Sequence, residues 1–70
     1  MFLAKIECEK STVEKIVEIL LVTTKHFKTW LYDKRVYASF YIDSFTLLKS
    51  LIKTLEVNKI KFRFYRIEEI

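Results

Sequence analysis

The chain has seventy residues, a net charge of +4, one cysteine and neither glycine nor proline, so it is a single small domain, residues 1–70, without an internal disulfide. A hydrophobic content of 51% excludes a disordered chain, and the lack of glycine excludes a P-loop or a dinucleotide-binding turn. The modest positive charge permits a nucleic-acid partner but does not demand one.

Phe2 to Glu9 alternates strictly, with Phe2, Ala4, Ile6 and Cys8 on one face and Leu3, Lys5, Glu7 and Glu9 on the other. That is a strand with one buried side. Ser11-Thr12-Val13-Glu14 fits a capping box, and Val13, Ile16, Val17, Leu20 and Leu21 then follow at helical spacing. The β-branched run Val22-Thr23-Thr24 closes this helix. From Lys25 the period returns to two: Phe27, Thr29 and Leu31 face one way, His26, Lys28, Trp30 and Tyr32 the other. Asp33-Lys34 makes a turn, and Val36, Ala38, Phe40 and Ile42 repeat the pattern of the first strand. Asp43 or Ser44 caps a second helix with the stripe Leu48, Leu51, Ile52 and Leu55. Ile60, Phe62 and Phe64 alternate with Lys61, Arg63 and Tyr65, which favours a last strand over a prolonged helix.

The order βαββαβ with right-handed crossovers gives a ferredoxin-like α+β sandwich. Two helices lie on one face of an antiparallel sheet of order 4-1-3-2. Without a disulfide or metal to staple so small a domain, regular packing or burial against a partner must hold it.

Enzyme constellations are missing. His26 is the only histidine and lies near a helix C-terminus, whereas Cys8 points into the core. The Glu7/Glu9 and Glu68/Glu69 pairs read as solvated carboxylates at edges and tails. We therefore expect no catalytic residue, no metal and no cofactor. No apolar run approaches the roughly 20 residues of a membrane span, and the segment MFLAKIECE is too often charged for a signal peptide. The expectation is a cytoplasmic protein without membrane contact. Abundant Lys, Ile and Glu with few amides also matches the composition bias of thermophiles.

Two surfaces stand out. On the sheet face away from the helices, the period of two gathers Lys28, Trp30, Tyr32, Arg35, Tyr37, Tyr41, Lys61, Arg63 and Tyr65. Rings interleaved with cations suit a protein interface, where Tyr, Trp and Arg are enriched. They also suit single-stranded RNA, whose bases stack on aromatic rings, or they simply cover an exposed sheet. The segment KIKFRFYRI lacks the aromatic signature of RNA-recognition modules. The second surface is helical: Ile19, Val22, Phe45 and Leu47 lie beyond the core stripes. They form either a generous core or a surface that docks on a partner.

The span DKRVYASFYIDSFTLLKSLIKTL resembles the closing half of the small dimerisation subunit of the KEOPS complex, which makes threonylcarbamoyl-adenosine in tRNA. Asp43 stands at that family's acidic position and Leu47, Leu51 and Leu55 at apolar ones. Leu48 stands where the family usually has arginine, Ile52-Lys53 where it has Asn-Ser, and its last helix normally runs on where Ile60 to Ile67 reads as a strand. The resemblance implies a non-catalytic subunit. It would form a homodimer, or a heterodimer with a related subunit, bind a catalytic subunit through its helices and help to hold tRNA.

Overall fold

The computed structural model describes residues 1–70. Strand β1 (Phe2–Glu9) is central because one of its faces is wholly apolar and small enough to be covered. Ala4, Ile6 and Cys8 are fully buried there. Strands β2 (Phe27–Tyr32), β3 (Arg35–Ile42) and β4 (Phe62–Glu69) complete an antiparallel sheet of order β2-β3-β1-β4. Across the two central strands Ala4 lies opposite Phe40 and Ile6 opposite Ala38. Each small side chain therefore leaves room beside a large one, and the inner face stays level enough for helices to pack on it.

Helices α1 (Val13–Thr23) and α2 (Phe45–Val57) cover that face. Their buried stripes, Ile16-Ile19-Leu20 and Leu48-Leu51-Leu55, join β1 and β3 in a single core of 14 residues with no buried polar side chain. This is the expected ferredoxin-like sandwich, with the expected strand order.

Local details differ from the sequence reading at two places. The capping box at Ser11 and Glu14 does not form. A 3-10 turn over Lys10–Thr12 precedes α1, Thr12 becomes the N-cap without a side-chain cap bond, and its hydroxyl donates instead to the Glu9 carbonyl at 2.7 Å. The tight turn absorbs Ser11 before the helix begins. The core stripe of α1 is also rotated, since Ile19 is buried while Leu21 is 63% exposed. Ile16, Ile19 and Leu20 share one side at spacings of three and four, and Leu21 lies about 100° further round. Leu31, on the helix side of β2, is 56% exposed because this edge strand is left uncovered at its tip.

The turns are made without glycine. Tyr32 pairs directly with Arg35, so Asp33-Lys34 is a two-residue hairpin turn, and Asp33 alone takes a positive φ, 59°. Aspartate is among the residues that tolerate this region. Ser44 caps α2 by accepting the Leu47 amide at 3.2 Å. At the other end the Ile60 amide donates to the Leu55 carbonyl and the Lys59 amide to Glu56, with Lys59 at φ 58° and Ile60 buried beside Leu55. That is a Schellman motif with lysine in the glycine position. Exchanging Lys59 for glycine relieves the Cβ crowding of this conformation. Lys59→Gly is expected to raise unfolding stability by roughly 0.5–1 kcal/mol in denaturant titrations; destabilisation would mean that the lysine side chain holds the turn.

In β4 the register against β1 slips once. Phe64 pairs with Ile6 and Arg66 with Lys5, leaving Tyr65 as an extra, bulged residue.

Candidate functional site

The outer face of the sheet is built around Glu7, two residues before the end of β1. In register, Tyr37 of β3 lies on one side of it and Arg63 of β4 on the other. The Arg35 guanidinium donates to one carboxylate oxygen at 3.1 Å and Arg63 to the other at 3.4 Å. Above this ion cluster runs a ladder of rings. Trp30 and Tyr37 are cross-strand partners stacked at 5.9 Å with 15° between planes, and Tyr65 meets Tyr37 edge-on at 5.8 Å. Such geometries add about 0.5–1.5 kcal/mol per pair beyond burial. The bulge keeps Tyr65 on this face, beside Tyr37, while Ile67 turns to the inner face opposite Ala4.

Burial works against the Glu7 charge, but the Tyr37 hydroxyl, Arg63 and Arg35 outweigh it and lower the carboxyl below its ordinary value of 4.5. For Tyr37, burial and the adjacent Glu7 carboxylate raise the phenol above its ordinary value of 10.0. A carboxyl lowered on folding stabilises the fold above its unfolded pKa and loses that contribution as pH falls through the folded one. Unfolding free energy should therefore decline as pH is taken below 4.5, and Glu7→Gln should flatten that decline. An unchanged acid limb in the variant would mean that Glu7 does not set it.

Of the nine outer-face residues read from the sequence, Trp30, Arg35, Tyr37, Arg63 and Tyr65 come together around Glu7. Lys28, Tyr32, Tyr41 and Lys61 are exposed at the margins. Glu7 itself was read as a solvated edge carboxylate and is instead the hub. The signal was available, since an order that seats β1 between β3 and β4 also seats Glu7 between Tyr37 and Arg63.

The helical set separates. Ile19 is core and leaves it, for the reason given by the stripe of α1. Val22 is 85% and Leu47 47% exposed, and both line an open groove of about 650 Å³ between the end of α1 and the start of α2. Met1 and Leu21 add apolar walls, and Lys25, His26, Tyr41 and Asp43 a polar lip. Phe45 is exposed but leans on Phe2 at 6.0 Å and carries the Lys49 ammonium 5.3 Å from its ring centre.

Cys8 and His26 are far apart. The Cys8 thiol is buried beside the Val36 carbonyl near one end of β1, and burial raises its pKa. His26 sits at the opposite end, its carbonyl accepting the Tyr41 amide. No three His, Cys, Asp or Glu side chains converge into a metal-binding group. No helix is long and apolar enough to cross a membrane.

No protein-family model and no curated relative matches the chain. A solved structure from Thermus thermophilus, described as a PII-like signalling protein, matches with a TM-score of 0.71. The match covers 99% of this chain and 84% of the other, at 14% identity. At that identity the likeness establishes the fold. It also overturns the resemblance to the KEOPS subunit: the backbone matches a PII-like structure, and a strand, β4, occupies the place where the KEOPS family continues its helix. The tRNA-modification role implied by that resemblance goes with it, and RNA binding gains no support from the matched structure.

Proposed function

We propose that this chain is a small regulatory protein that acts by contacting another protein, with the Trp30-Tyr37-Tyr65 ladder as its principal contact surface. The observation that carries the reading is a set of preordered aromatic and arginine side chains on an open face. Rings already packed on one another lose little rotamer freedom when a partner covers them, which is what binding hot spots require. The description of the Thermus structure as a signalling protein supports the same class. A nucleic-acid platform is the weaker reading, because Trp30 lies stacked against Tyr37 and both Arg35 and Arg63 are engaged by Glu7. The free cations Lys28 and Lys61 at the margins suit a partner with an acidic rim. Val22, Phe45 and Leu47 provide a second, helical contact area.

Recovery of the protein from its native source under mild conditions tests this. The expected result is a protein partner in fixed ratio that is lost with Trp30→Ala. Recovery of nucleic acid alone, or a partner retained by Trp30→Ala, would overturn the reading.

A further inference from the structure

The open edge of β4 carries its own partner information. Its outer side has no strand against it, and its charges run from Lys61 and Arg63 at the start through Arg66 to Glu68 and Glu69 at the end. In an antiparallel pairing of two β4 strands, the basic half of each faces the acidic half of the other. The opposite edge does not have this property, since β2 is flanked by Lys25, Lys28 and Lys34 with only Asp33 to oppose them.

The bulge selects the register. The Ile70 amide donates inward to the Met1 carbonyl. By the period of two, Ile67 and Glu69 then direct their backbone groups outward. On the other side of Tyr65 the same alternation along β1 turns Arg63, opposite Glu7, inward and leaves Phe62 and Phe64 outward. Phe64 and Ile67 thus present free backbone groups and also share the inner face of the sheet. A regular strand would put residues three apart on opposite faces.

We propose that two copies of this chain pair through β4 in an isologous, antiparallel dimer, Phe64 opposite Ile67 of the second copy and Arg63 opposite Glu68. In this register Phe64 meets the half-exposed Ile67 on the inner face, where Phe62 lies opposite Glu69, and on the outer face Arg63, held by Glu7 of its own chain, meets Glu68, which Arg66 of its own chain holds at 2.9 Å. Tyr65 comes to lie opposite Arg66, a pairing of ring and guanidinium. The twofold axis is perpendicular to the sheet, so the two four-stranded sheets become one of eight strands. Both aromatic ladders then lie on one side and all four helices on the other. The dimer uses the edge, not the aromatic face, and stands or falls independently of the partner proposed for that face.

Bulges and charges also protect edges from pairing, so the test must distinguish the two roles. Sedimentation equilibrium of the intact chain at micromolar concentration should give twice the 8.5 kDa chain mass. Glu69→Pro removes an outward amide and the Glu69 carboxylate but no bond to β1, and should return the mass to that of one chain while the far-ultraviolet circular dichroism is kept. The register is read by oxidising Arg63→Cys/Glu68→Cys. These sites are too far apart within one strand to join, at about 3.4 Å per residue, so a covalent dimer forms only between copies. The single variants Arg63→Cys and Glu68→Cys, and the mismatched pair Lys61→Cys/Arg63→Cys, should form no covalent dimer. A wild-type monomer, or equal crosslinking by matched and mismatched pairs, overturns the proposal.

Discussion

Leu51→Ala is expected to cost roughly 2–5 kcal/mol of stability, and Leu47→Asp almost none. Both leucines belong to α2, four residues apart, but Leu51 is fully buried in the core, whereas Leu47 is 47% exposed on the groove. For a domain of this size each kcal/mol moves the melting temperature by about 4–8 °C. Leu51→Ala should therefore lower the melting temperature by roughly 10 °C or more, or leave the chain unfolded. Leu47 lies in the first turn of α2, three residues after the Ser44 cap, where an introduced carboxylate favours the helix dipole. Leu47→Asp should stay within about 0.5 kcal/mol of wild type while weakening any partner that seats in the groove. Thermal melts of the two variants check this. Equal destabilisation would make Leu47 core, and the groove would lose its place as a contact surface.

Trp30→Ala should weaken the partner complex by about 2 kcal/mol or more, on the order of 30-fold in Kd. Its ring is one end of the ladder, stacked on Tyr37, and its removal also frees Tyr37 to change rotamer. Tyr32→Ala supplies the contrast, because Tyr32 is at the hairpin tip, outside the ladder, and mostly exposed. Its loss should alter affinity only slightly. Isothermal titration with the isolated partner gives both values, and similar losses for the two variants would mean that the ladder is not the centre of the contact.

The fold was legible because each element carried its own period. The alternation of Phe2 to Glu9 and Val36 to Ile42 and the helical stripes of Leu48, Leu51 and Leu55 place buried residues where the structure has them. Local hydrogen-bond chemistry was less legible. Ser11 and Glu14 have the composition of a capping box, yet the path out of β1 needs a 3-10 turn, and a composition rule does not carry that geometry. The stripe of α1 was ambiguous for a related reason: Val13, Ile16, Val17, Ile19, Leu20, Leu21 and Val22 are apolar on nearly all sides, so only the sheet decides that Ile19 enters the core and Leu21 does not. At the site, period-two counting assigned the rings to the right face. It missed Glu7 as their anchor because a carboxylate among charges looks solvated until its two arginines are placed beside it. The Tyr65 bulge left no mark in the sequence, since FRFYRI alternates plausibly in either phase. The KEOPS resemblance rested on hairpin-and-helix spacing that any chain of this fold would share.

Trp30 fluorescence decides whether the outer face is a protein-contact surface. The protein is titrated with short single-stranded oligonucleotides and, separately, with the co-purified partner, at low and high salt. For a protein-contact face, oligonucleotides leave the emission unchanged, while the partner protein shifts or quenches it with an affinity that survives added salt. Quenching by oligonucleotides with an affinity that falls steeply as salt rises, alongside no response to the protein, would contradict it.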